Sequence, residues 1–299
     1  ADIEEALKDR PERADAGTLS QTKAQDGSSR LALAMLTTQT RTIRALEQPS
    51  QNANDPTSLD AMAILPDWTE NEVKALLRRP IFDVATYGRV RFHHRSVQEF
   101  LAAQRLLKLR ERGLTKKRLH NLLFADTYGE RVIVPSMKPI AAWLSQYDQE
   151  IAREILKREP EVLLLYGDSA SLSQPTRAAL LKEYVETYRL GSWRGLDMPI
   201  AEVRRLAKPD LGPEIRKAWG VAHTNEEIPE LLLKLIWLGG IAECADLAFK
   251  AATNKALEKV SRVYAVRALS ACHRTDLLRK IANDLLAKPA RWPDRIVHA

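Results

Sequence analysis

Apolar positions recur at helical spacing over most of the chain. Between Ser29 and Thr38, Leu31, Ala32, Met35 and Leu36 fall on one face, and residues 1–46 as a whole read as two or three amphipathic helices. The stretch from Gln48 to Pro56 holds two prolines and no large apolar residue, which predicts a polar surface linker. Thr69 with Glu72 three residues on forms a capping box ahead of a helix whose buried stripe is Val73, Leu76 and Leu77 and which Pro80 stops. The period then changes to two: residues 81–84 and 89–92 read as strands joined across Tyr87 and Gly88. A second box, Ser96 with Glu99, predicts the start of a helix carrying Val97, Phe100, Leu101, Ala103, Leu106 and Leu107.

Helix, β-hairpin, helix is the layout of a winged-helix domain. After residue 119 no strand pattern is legible, and helices are expected at 138–147, 149–158, 175–190, 198–207, 211–219, 227–238, 242–252, 257–271 and 275–287. In the segment 257–271, Leu257, Val260, Tyr264, Ala268 and Ala271 make one apolar face while Val263 and Val266 lie off it. A helix wetted on one side does not need those extra valines, so this one is expected between neighbours, as in stacked helical pairs. A compact helical bundle is the alternative. The expected fold is mostly α: residues 1–58 a helical segment ending in the linker, 59–118 a winged helix, and 119–299 a HEAT-like α-solenoid.

Composition narrows the chemistry. The 299 residues carry 46 Lys+Arg and 39 Asp+Glu, a formal charge of +7. Thirteen basic and four acidic residues fall within 71–120, so that segment alone holds +9. No apolar run approaches the roughly 20 residues of a membrane span. Two isolated cysteines, Cys244 and Cys272, argue against a disulfide framework and for a reducing, cytoplasmic setting. Phosphate-loop, dinucleotide, nucleophile-elbow and zinc-helix motifs are all missing from the sequence, so the chain itself is expected not to be an enzyme. Tyr166 to Ser171 contains Gly-Asp-Ser, which reads as turn chemistry rather than a nucleophile. His120, His223, His273 and His298 are scattered singly and receive no role.

The informative stretch is residues 92–103, Phe92-x-His94-x-Ser96-Val97-Gln98-Glu99-Phe100-Leu101-Ala102-Ala103. It resembles the winged-helix motif of NACHT-type STAND NTPases, a family that includes NOD-like receptors and many bacterial defence proteins. Leu65 to Trp68, Leu76 to Asp83 and Pro139 to Leu144 are similar to large bacterial members, with the strong similarity spanning roughly residues 60–105. In that family the winged-helix histidine contacts the β-phosphate of ADP and holds a closed resting state; by position it is His94. The resemblance implies the regulatory and sensor side of a longer ATPase. ADP or ATP with magnesium would then bind mainly to a core outside this sequence, and a chain opening at Ala1 on a helix-like segment fits such a fragment. It further implies a protein ligand on the helical repeats, oligomerisation in the active state, and anti-phage defence signalling in bacterial relatives. The alternative is a winged-helix nucleic-acid binder using the basic 71–120 segment, with Arg89 and Arg91 on the wing against phosphates. Against it, the most basic run, Arg105 to Arg118, lies on and after the last helix and has no interleaved aromatics.

Overall fold

Ser20 accepts a hydrogen bond from the Lys23 amide and so starts α1 (Gln21–Thr38). Leu31, Ala32 and Met35 of the expected stripe are buried, and Gln39 ends the helix in the left-handed region at φ 58°. The computed structural model describes residues 19–44, 57–86, 88–191, 195, 198–293 and 295–296. The linker from Gln48 to Pro56 and the helices expected before residue 19 lie outside the described residues. The chain forms two compact units, Ala1–Arg153 and Glu154–Ala299.

In the first unit the expectation of helix up to residue 46 fails at its end. Thr42–Arg44 is a strand, β1, whose β-branched Thr42 and Ile43 suit a pleated sheet. It pairs in parallel with β2 (Ser58–Leu59). Asp60 then caps the short α2 (Ala61–Ile64) through the Met62 amide at 2.9 Å. Thr69 and Glu72 make the full reciprocal box on α3 (Glu70–Leu77), where Val73, Leu76 and Leu77 are buried as expected. The hairpin β3 (Phe82–Ala85) and β4 (Arg89–Phe92) follows, with Phe82 opposite Phe92 and their ring centroids 4.7 Å apart. Because β1 also pairs with β4, Ile43 against Val90, the hairpin sits in a four-stranded sheet of order β2-β1-β4-β3. Residues N-terminal to the expected domain thus complete its sheet.

Helix α4 (Arg95–Glu111) begins one residue before the expected Ser96 cap. His94 occupies the N-cap position without a side-chain hydrogen bond to the helix, and Ser96 lies inside the first turn. Glu99 cannot close a box there because its carboxylate is taken by Arg95 at 2.9 Å. Helix α1 packs along α4, and Arg105 of α4 reaches Asp26 of α1 at 3.0 Å. After α5 (Lys116–Leu123) comes an element the sequence pattern did not reveal, a hairpin of β5 (Phe124–Thr127) and β6 (Glu130–Ile133). Its turn is Tyr128-Gly129, both at positive φ, the mirror-image turn that matches strand twist. Helix α6 (Lys138–Leu144) packs back on α4, with Trp143 edge-on to Phe100 at 5.1 Å. Helix α7 (Gln149–Arg158) carries the boundary between the units.

The second unit is helical throughout its described residues: α8 (Glu161–Leu165), α9 (Gln174–Tyr188), α10 (Ile200–Leu206), α11 (Gly212–Gly220), α12 (Glu227–Gly239), α13 (Ala245–Thr253), α14 (Lys259–Ala271) and α15 (Thr275–Ala287). Alternate helices pack in rows, α8 on α10, α10 on α12 and α12 on α14, with α9 on α11, while successive helices such as α13 and α14 also pack on each other. That two-row order is what stacked helical pairs produce, and the fold is predominantly α with a small mixed region ahead of a long solenoid-like run. Ion pairs tie successive helices of the second row. Arg177 of α9, only 7% exposed, reaches Asp210 just before α11 at 2.5 Å, and Arg216 of α11 takes Asp246 of α13 through both guanidinium nitrogens. Bidentate geometry of this kind fixes register as well as adding energy. Both apolar sets of α14 contribute to burial, Ala268 of the first being fully buried. Val263 and Val266 point into the core with Ala265 and Leu269, whereas Val260 is 44% exposed and Tyr264 is half-buried against Trp237. The helix is indeed squeezed, between α12, α13 and α15.

Gly27 is where α1 comes closest to its neighbours. A Cβ there would lie 2.6 Å from Trp68 Cη2 and 2.8 Å from Leu76 Cδ2, both on buried side chains. Gly27→Ala should therefore lower unfolding stability by about 1–2 kcal/mol, the overpacking cost less the helix-propensity gain. Gly220→Ala, with nothing within 4 Å, should stay within about 0.5 kcal/mol of the parent in the same urea titration.

Candidate functional site

Strand alternation sets up the site. Along β4, Val90 and Phe92 point inward, and Arg91 and then His93 outward. The His93 amide continues the ladder by donating to the Ile81 carbonyl at 2.9 Å, and its ring Nδ1 lies 2.6 Å from Asp83 Oδ2 across the hairpin. His93 is thereby anchored. His94 follows in extended backbone (φ −121°, ψ 127°) at the N-cap of the 17-residue α4, its carbonyl accepting the Gln98 amide at 3.2 Å. Its exposed ring meets His93 edge-on, centroids 4.1 Å apart, and makes no capping bond.

The electrostatics at this end of α4 favour an anion. The first turn contains no acidic side chain, Arg95 and Ser96 are exposed beside His94, and the helix dipole adds positive potential. Glu99, a turn further on, is 7% exposed at its side chain, and burial raises its carboxyl above the usual glutamate range despite Arg95. It supports the helix from beneath rather than adding charge at the mouth. The sequence reading singled out His94. It did not find the Asp83 contact that holds the neighbouring ring, whose only signal is the hairpin register placing Asp83 opposite Arg91.

Part of the positive charge of residues 71–120 is paired inside the first unit. Arg105 pairs with Asp26, Arg110 with Asp148 at 2.6 Å, Lys116 with Glu150 at 3.1 Å and Lys74 with Glu70 at 3.6 Å. The pairs of Arg105, Arg110 and Lys116 tie different elements together, while Lys74–Glu70 lies within α3. The other singled-out groups are structural. Asp168 caps the single turn Ser169–Ser171 through the Ala170 amide, and both thiols are buried, that of Cys244 pushed up to about 11 by desolvation. Among the described residues no group of His, Cys, Asp and Glu is placed to hold a metal ion, and no helix is long and apolar enough to cross a membrane.

Glu99 gives a pH signature. Its native pKa lies above its unfolded one, so stability is greatest below the unfolded value and falls as pH rises through the native one. Urea midpoints measured across that acidic window should show this fall in the parent and its loss in Glu99→Gln; an unchanged profile would contradict the assignment. No protein-family model, curated protein or solved structure matches this chain.

Proposed function

We propose that the chain is the non-catalytic regulatory and sensor portion of a STAND ATPase of the NACHT type. In this role the helix–hairpin–helix segment is a nucleotide-state latch and the helical run of the second unit is a surface for a protein ligand. The observation that carries the proposal is His94, an exposed imidazole without a capping bond, at the N-terminus of a long helix whose first turn has no acid. Such a group donates to a phosphate oxygen, and the helix terminus adds to the same potential. The fit extends to that one contact. A phosphate loop is absent from the sequence, so the remainder of a nucleotide site would come from the ATPase core of a longer polypeptide. When bound there, ADP or ATP with magnesium would supply the switchable charge; His94 would register it, and His93, held by Asp83, would keep the imidazole oriented.

In a signalling cycle, ligand capture by the repeats would weaken the latch, allow exchange and permit oligomerisation, consistent with a role in bacterial anti-phage defence. The part-buried pairing of Arg105 with Asp26 and of Arg110 with Asp148 makes those two residues poor phosphate binders and favours this reading over nucleic-acid binding.

Two outcomes are expected. In the full-length polypeptide His94→Ala should lower co-purifying ADP roughly tenfold, the value of one charge-assisted hydrogen bond, while His93→Ala has a smaller effect. ADP retention equal to the parent's would sink the latch. The chain on its own should hydrolyse no ATP in a phosphate-release assay, and turnover abolished by a substitution within it would overturn the non-enzymatic assignment.

A further inference from the structure

The C-terminal end of the second unit forms a half-open pocket of about 650 Å³. Four cations line it, Lys259, Arg262, Arg291 and Arg295, together with apolar Val260 and Pro293, and no described lining residue is acidic. The first turn of α14 forms part of the wall, and no side chain caps that helix.

Arg262 is the unusual member. It is 5% exposed, stacks over Trp292 at 4.8 Å, and donates from Nε to the Ala252 carbonyl at 3.0 Å and from Nη1 to the Arg291 carbonyl at 3.1 Å. Its Nη2 is buried without a hydrogen-bond partner, and so is Nε of Arg291, on the same pocket. Arg291 is paired to Asp284 only through Nη1, at 3.4 Å. Both donors lie shielded behind the pocket wall, so they leave unneutralised positive charge there, while Lys259 and Arg295 are the exposed cations of the lining. Burial, and then the charge of Arg291, lower the pKa of Arg262, an unfavourable balance that a bound anion would reverse.

We infer that this pocket is a binding site for a small phosphorylated molecule, its phosphoryl group held by Lys259, Arg291 and Arg295 with the buried charge of Arg262 behind them, and its apolar remainder against Val260 and Pro293. Forked guanidinium groups match the tetrahedral oxygens of a phosphate, and the helix terminus adds to the field. The volume suits a compact organic phosphate. The site is separate from His94 and does not depend on the latch.

The test is calorimetric titration of the full chain with phenyl phosphate, inorganic phosphate and benzyl alcohol at about 0.15 M salt. Phenyl phosphate should bind saturably, inorganic phosphate more weakly and benzyl alcohol not at all. Arg295→Glu and Lys259→Glu, both at exposed positions, should each weaken phenyl phosphate roughly tenfold while circular dichroism and Tm stay unchanged. Absence of saturable binding, or binding indifferent to both substitutions, would overturn the site. A phosphotyrosine hexapeptide should bind no tighter than phenyl phosphate; tighter binding would overturn the small-molecule assignment in favour of a protein ligand.

Discussion

The first unit is organised by the clamping of α4. Along its length that helix is held by α1 through Arg105 and Asp26, by α6 through Phe100 and Trp143, and at its C-terminal end by Arg110 on Asp148. Asp148 also accepts from the Glu150 amide, so one carboxylate fixes the end of α4 and the start of α7 together. Half-buried Arg105 and Arg110 are matched by acids on facing elements, so their charge rigidifies the unit rather than facing outward. The N-terminal end of α4 is exposed, and His94 stands there.

The sheet serves the same end. By pairing with β4, β1 stiffens the strand that leads into His94, and the Asp83–His93 contact continues that order one residue past the strand. Nothing in the hydrophobic pattern announces β1, because three residues are too few to show a period. The capping box at Thr69 was legible and is present. The apparent box at Ser96 was not real, because Arg95 competes for Glu99 at helical spacing and wins when that carboxylate is buried. A box motif states which donors and acceptors are near, whereas burial decides which of them meet. The hairpin at Tyr128-Gly129 has the same Tyr-Gly pair in sequence as residues 87–88, but its strands hold Asp126, Glu130 and Arg131 and lack a continuous alternation.

In the second unit the expected helices are found to within a few residues, and their stacking order follows from faces that are apolar on more than one side. Helix α14 shows the limit of that logic. Counting apolar positions found a helix packed on several sides, but both stripes were apolar, so pattern alone did not distinguish the inner one. Tyr264 and Trp237, stacked with centroids 5.7 Å apart, and Arg267 over both rings make the outer stripe of α12 and α14 aromatic and cationic. The Arg177–Asp210 and Arg216–Asp246 pairs were beyond reach of sequence, since their partners lie a whole repeat apart.

The central claim is that the open end of α4 faces a phosphate through His94. The most direct measurement is ³¹P–¹⁵N dipolar coupling, by solid-state NMR, between bound ADP and the histidine rings of the full-length polypeptide. The account predicts coupling at hydrogen-bond range to His94 and none to His93, whose ring is committed to Asp83. Coupling to His93 instead, or to neither ring, would contradict it.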